Sequence, residues 1–158
     1  MSAAGWRDFD MDQSWIPVQQ GLFHYPLANG ERPALFANHC GNCGKTFFPK
    51  RAICPRCFGE GALEDITLDR RGIIYASTVI RIPSPVGIKA PYACGYVDIL
   101  TNGIRVFALF TGSDPSSFAP GQEVELVVEP VRVDHQGQTV IGYKFKPIGD
   151  EIERMRQP

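Results

Sequence analysis

Two cysteine pairs constrain the fold more than any other feature of the chain. Cys40-Gly-Asn-Cys43 and Cys54-Pro-Arg-Cys57 give the spacing C-x2-C-x10-C-x2-C. A CxxC turn places two sulfurs on one side of a tight loop, and two such loops facing each other close a tetrahedral four-sulfur site. The ten intervening residues suffice for a short hairpin. Thiolates suit zinc, which brings no redox chemistry; iron in a rubredoxin-like site is the competing occupant. Four thiolates saturate the ion and leave no position for water or substrate, so the expected role is structural. The alternative, four unliganded core cysteines, is disfavoured by the paired spacing.

The rest of the composition narrows the function classes. The 158 residues are 44% apolar and 21% charged, an ordinary globular balance that allows about one domain. A formal net charge of −1 argues against a life on phosphate backbones. No apolar run approaches the roughly 20 residues that span a bilayer. The N-terminal stretch MSAAGWRDFDMDQSW lacks a basic segment followed by an apolar one, so it does not read as a signal peptide. The expected compartment is the reducing cytoplasm, where CxxC pairs favour metal over disulfides.

Four segments follow along the chain. Residues 1–38 are rich in aromatic and apolar side chains without a steady period, and Gly21, Pro26, Asn29, Gly30 and Pro33 interrupt them. A short helix over Met11 to Gln20 is expected, limited by Pro17. The segment is too apolar for a disordered tail and too short for its own core, and it reads as a partner-docking arm. Residues 39–61 form the ribbon; Gly41 and Gly44 sit where the chain must turn tightly, and Pro55 stiffens the second loop. Residues 62–148 read as strands: 63–68, 73–82, 92–99, 104–110, 124–133 and 139–148. Asn102-Gly103 signals a two-residue hairpin, Gln136-Gly137 another turn, and Pro130 a bulge or edge. The fold class is therefore mainly β: an arm, a zinc ribbon and a five-stranded, partly open Greek-key barrel of the OB-fold type, with a sandwich as the alternative. Residues 149–158 are a charged tail.

Other chemistry is sparse. Lys45, Lys50, Arg51 and Arg56 interleave with the cysteines, and no acid occurs from Cys40 to Cys57. Part of this charge balances the −2 of four thiolates and a divalent ion. The remainder either meets an anionic partner, such as a nucleotide phosphate, or is plain solvated surface. Lys89 lies in the long proline-rich loop 83–91, a binding surface or a mere crossover. Of Phe47 and Phe48, one is expected in the core and the other exposed. Cys94, in a strand pattern with no His nearby in sequence, reads as a small buried side chain. His39 precedes a ligand without replacing it, and His24 and His135 are isolated. GxSxG, Walker and GxGxxG motifs are missing, and no catalytic residue is assigned. Tyr75, Tyr92, Tyr96, Phe107 and Phe110 could stack bases in a single-stranded nucleic-acid binder, or fill the core. The net charge speaks for the core.

Taken in order, the aromatic arm, the ribbon CxxCG…FFP.R..CPxC, the strand Gly72-Ile73-Ile74-Tyr75-Ala76-Ser77-Thr78, and then Pro91-Tyr92 and Val97-Asp98 resemble one family. It is the zinc-ribbon/OB-fold family of acyl-CoA-associated proteins known as domain of unknown function 35. The likeness covers residues 15–148, and the stretch Leu27 to Asn38 is longer than the usual direct entry into the ribbon. The resemblance implies a non-catalytic accessory subunit beside a thiolase, thiolase-like aldolase, hydroxymethylglutaryl-CoA synthase or MaoC-like hydratase. The catalytic cysteine and histidine then belong to the partner, and this chain completes or covers the acyl-CoA path in a hetero-oligomer. On that reading Lys45, Lys50, Arg51, Arg56 and Lys89 are candidate contacts for CoA phosphates or the partner. The partner acts on lipid, sterol or aromatic-derived thioesters, benzoylsuccinyl-CoA being one candidate.

Overall fold

β-branched and aromatic residues dominate the second half of the chain, and in the computed structural model they build one closed barrel. The structure describes residues 15–25, 27 and 30–148. Five strands form the barrel: β5 (Arg71–Ile80), β6 (Tyr92–Ile99), β7 (Ile104–Phe110), β8 (Glu123–Val133) and β9 (Thr139–Pro147). Strands β5, β6 and β7 pair antiparallel in sequence order, β8 returns to pair with the start of β5, and β9 closes the ring between β8 and β7. Closure is what allows so small an all-β unit to hide its edges. β5 is the long bent strand expected of an OB-fold: it pairs with β8 over Arg71–Ile73, then with β6, and a register shift between Ile74 and Ala76 bends it. The second shift, between Pro130 and Arg132 of β8, lies where the proline predicted a bulge.

The β6–β7 hairpin differs from the expected two-residue turn. Ile99 pairs with Ile104, so the loop is the four residues 100–103. Leu100–Asn102 make a 3-10 turn, and Gly103 takes the left-handed conformation, φ 62°, that brings the chain back. Asn102 and Thr101 are thereby free to hold Asp69. The Asp69 backbone N–H donates to Asn102 Oδ1 at 2.8 Å, and the Thr101 hydroxyl donates to Asp69 Oδ2 at 2.8 Å.

The N-terminal segment is part of this core. Of the helix expected over Met11 to Gln20, residues 11–14 lie outside the described residues, and the remainder is not helical: Ile16–Pro17 are a strand and residues 18–20 turn. β1 (Ile16–Pro17) runs parallel to β9 beside Val140 and Ile141, and the Val18 N–H donates to the Ile141 carbonyl at 2.7 Å. Pro17 cannot continue a helix but is tolerated on such an edge. β7 occupies the same side of β9 further along, at Lys144 and Phe145, so the arm extends the seam where the barrel closes. Leu22, Phe23 and Leu35 are buried in one cluster with Ile74, Val97, Leu126 and Phe145. Leu22, Phe23 and Leu35, part of the segment that read as partner-docking, are thus buried inside the chain, each worth about 1.5–3 kcal/mol.

The ribbon sheet is built from β2 (Phe36–Cys40), β3 (Thr46–Phe47) and β4 (Leu63–Thr67), in the order β3-β2-β4. Leu63–Thr67, read from sequence as the first strand of the segment 62–148, pairs with β2 along its whole length. Phe47 and Phe48 are both half-buried, where one was expected to be exposed. Phe48 packs edge-on against Tyr143 of β9, centroids 5.5 Å apart, and so ties the ribbon to the barrel.

Candidate metal centre

β2 ends at Cys40, and the chain turns there because a carbonyl at each knuckle captures the N–H four residues on. Gly44 N–H donates to the Cys40 carbonyl at 2.8 Å, and Phe58 N–H donates to the Cys54 carbonyl at 3.0 Å. The two knuckles are therefore equivalent turn by turn, with Gly44 and Phe58 in matching positions at φ 73° and 55°. Glycine adopts this left-handed conformation freely, whereas an L side chain carries a cost of about 1–2 kcal/mol there. Gly41, expected to be needed for the turn, has no left-handed φ, and a Cβ there would make only ordinary contact with the Ala62 carbonyl oxygen at 3.7 Å.

The turns bring Cys40, Cys43, Cys54 and Cys57 together, with all four Sγ atoms within 4.8 Å of one another. Cys40 and Cys57 stand 3.5 Å apart and Cys43 and Cys54 stand 3.6 Å apart. A tetrahedron with Zn–S bonds of about 2.3 Å has edges of ~3.8 Å, so the cage has the size of a four-thiolate zinc site. Electrostatics make the same point. Backbone N–H groups of Cys57 and then Arg56, outweighing burial, pull the Cys54 thiol down to about 6. At Cys57 the Gly59 N–H acts in the same direction, but Cys40, Cys54 and burial overcome it and push the thiol up to about 11. At Cys43 the Lys45 N–H lowers the pKa, yet burial and the Cys54 and Cys40 thiols leave it above the ordinary value. Four sulfurs this close cannot all ionise unless a cation shares the site. The residues fit zinc, and all four positions of a tetrahedral ion are filled by the chain.

Asn38 anchors the cage from behind, and sequence reasoning missed it. It is the one buried polar side chain among the described residues, 3% exposed on β2. Its Nδ2 donates to the Arg51 carbonyl at 2.7 Å and its Oδ1 accepts from the Arg51 N–H at 3.3 Å. The loop carrying Cys54 and Cys57 is thereby fixed to the strand carrying Cys40. A polar residue among the apolar positions of Phe36–Cys40 was the available signal. Asn38→Ala leaves both Arg51 groups unpaired, and a stability loss of about 1–3 kcal/mol is expected in urea denaturation with zinc still bound.

The other predicted residues are dispersed. Lys50 is engaged inside the chain, 3.0 Å from Asp65 and over the Phe36 ring. Lys45, Arg51 and Arg56 are exposed on the ribbon, whereas Lys89 stands on the barrel loop between β5 and β6. His39 Nδ1 lies 3.0 Å from Thr46 Oγ1 and is not part of the sulfur cage. His24 faces Glu31 at 3.5 Å. Cys94 is buried on β6, and desolvation raises its pKa, the opposite of an activated nucleophile. Of the stacking candidates, Phe110 is core, stacked on Phe118 at 5.1 Å, and Tyr92 is half-buried. Tyr75, Tyr96 and Phe107 face outward. The Arg105 guanidinium already covers Tyr75 at 3.3 Å and is itself bound by Asp98 through two hydrogen bonds of 2.6 and 3.0 Å. One face of that ring is therefore occupied, and the cation on it is already paired with a carboxylate.

Fold and site together define a zinc-ribbon/OB-fold protein: a closed metal cage on a small sheet, docked to a five-stranded barrel. Residues 29–64 match the family described as "ChsH2, rubredoxin-like zinc ribbon domain", and residues 65–129 match "ChsH2, C-terminal OB-fold domain". The chain belongs to this ChsH2-type family, also described as DUF35. It is 41% identical over 131 residues to the "Benzoylsuccinyl-CoA thiolase subunit BbsA" of Thauera aromatica, covering 80% of this chain and 88% of that one. It is 38% identical over 119 residues to a "DUF35 domain-containing scaffold protein" of Methanothermobacter thermautotrophicus, covering 74% and 89%. Among solved structures, the "Ltp2-ChsH2(DUF35) aldolase" shares the fold with a TM-score of 0.56 at 22% identity, over 72% of this chain and 84% of that one. Among the described residues, no helix is long and apolar enough to cross a membrane.

Proposed function

We propose that this chain is a non-catalytic, zinc-holding subunit of a cytoplasmic complex that makes or breaks carbon–carbon bonds on CoA thioesters, with a thiolase-fold partner supplying the catalytic residues. The observation that carries the reading is its 41% identity, over 80% of its length, to a protein named as a thiolase subunit. The chemistry of the site supports it. Zinc in a cage of four thiolates has no open position for a water or a carbonyl, so it serves as a structural pin. Relatives named as scaffold proteins fit the same role. The substrate class is an acyl-CoA from lipid, sterol or aromatic breakdown, benzoylsuccinyl-CoA being the nearest named example. Of the five predicted cations, Lys45, Arg51, Arg56 and Lys89 have no ion pair among the described residues and are the candidate contacts for CoA phosphates or for the partner. The test is a pull-down with the tagged full chain from its native source, followed by mass measurement of the intact assembly. A thiolase-fold protein at fixed stoichiometry is expected, with acyl-CoA turnover only in the assembly. A chain that stays monomeric and captures no such protein would sink the reading.

A further inference from the structure

We infer that Phe58, with Ile53 on the same cysteine-bearing loop, is a wedge that seats in an apolar socket with an acidic rim on the catalytic subunit; this rests on the function proposed above. Among the described residues, Phe58 is the one non-glycine side chain at positive φ, 55°. It is also 72% exposed, and Ile53 on the same cysteine-bearing loop is 58% exposed. Each feature is unfavourable in the isolated chain. The backbone conformation disfavours any L side chain, a bulky one most of all. The ring gains little burial in return. The first knuckle solves the same turn with Gly44, using the same hydrogen bond to the cysteine carbonyl four residues back. Glycine would therefore satisfy the fold at position 58. Strain held at an exposed aromatic points to a use outside the chain, and large aromatics are the usual anchors of interfaces.

Charge selects the kind of partner. Arg51 and Arg56, each two residues before Ile53 and Phe58 respectively, are exposed, Lys45 is exposed on the first knuckle, and none of the three has an ion pair among the described residues. Glu60 is the one acid from Cys40 to Glu60, so the rim is basic on balance. A second copy would bring two such basic rims together, which disfavours self-docking. An acidic rim around an apolar pocket complements the surface in both respects.

Phe58→Gly separates docking from folding, because it removes the ring and relieves the backbone at once. The probe is the thiolase-fold subunit recovered with the wild-type chain, mixed with zinc-loaded full chain. Expected are association weakened on the order of 30-fold, an unchanged zinc content and a Tm equal to or above wild type. Phe58→Asn, which also tolerates left-handed φ, should behave alike. Wild-type association should weaken with ionic strength, and Arg56→Glu should weaken it further. Wild-type affinity in Phe58→Gly would overturn the inference while leaving the proposed function intact. So would loss of zinc or of Tm in both variants, which would make the ring structural. A wild-type dimer that dissolves in Phe58→Gly would assign the wedge to a second copy and overturn the choice of partner. Failure of the wild-type chain to bind any thiolase-fold protein would remove the proposed function and this inference together.

Discussion

Cys40→Ser is expected to empty the ribbon of metal and to cost most of the stability of the β3-β2-β4 sheet. Metal analysis should fall from about one zinc per chain to almost none. Cys40 is fully buried at the end of β2, so serine places a hard, poorly ionised ligand where no water can substitute. Without the ion the remaining thiols lie too close to ionise together, and the turns lose what closes them. The damage should reach the barrel. Ala37 of β2 and the neighbouring Leu35 lie in the common core, and Phe48 packs on Tyr143. Cys57→Ser should be milder, because Cys57 is exposed and water can fill the vacated position. Zinc uptake by the wild-type apo chain should also release protons. At neutral pH the metal-free Cys54, near 6, is largely a thiolate, while Cys57, near 11, keeps its proton until the ion displaces it. Affinity should therefore fall as pH falls. If both serine variants keep wild-type Tm and carry no metal, the ion does not hold this fold.

What the sequence revealed and what it hid have physical causes. The cage was legible because CxxC turns are local: spacing alone fixes which sulfurs meet. The barrel strands were legible because β-branched runs and turn residues punctuate them, and even the bulge at Pro130 followed from a missing N–H. The arm was not legible. Leu22, Phe23 and Leu35 join the common core, but no period of 2 or 3.6 marks them in the sequence, so they looked like surface in search of a partner. Leu63–Thr67 has strand composition but no sign of which sheet it joins; pairing with β2 is a long-range choice. Asn38 and Phe58 were hidden because their roles lie in a buried hydrogen bond and a backbone angle. Phe58 was nonetheless within reach. Aligning the two knuckles on their cysteines puts it opposite Gly44.

Gly95→Ala should be the most damaging single-methyl change in the barrel. Gly95 sits in the middle of β6, paired with Ser77 of β5 on one side and Ala108 of β7 on the other. A Cβ there would overlap the Ala76 carbonyl oxygen and lie 2.8 Å from the Ala76 carbonyl carbon and 2.9 Å from the Ser77 Cα. These are backbone atoms, so no rotamer can relieve the clash. The strand cannot retreat either. The Ser77 hydroxyl donates to the Phe118 carbonyl at 2.8 Å, and Ile74 exchanges hydrogen bonds with Gln122 and Gly121 just before the bulge. The methyl group must therefore part β5 from β6, and the closed ring passes that strain to β8 and β9. A loss of about 3 kcal/mol or more is expected, the upper end of overpacking, with Tm lower by roughly 10 °C. Gly103→Ala supplies the comparison, because its φ is 62° but nothing lies within 4 Å of the added Cβ. It should cost only the left-handed backbone penalty, about 1 kcal/mol. Equal losses in the two variants, read by thermal and urea unfolding, would mean that β5 and β6 do not approach this closely at Gly95.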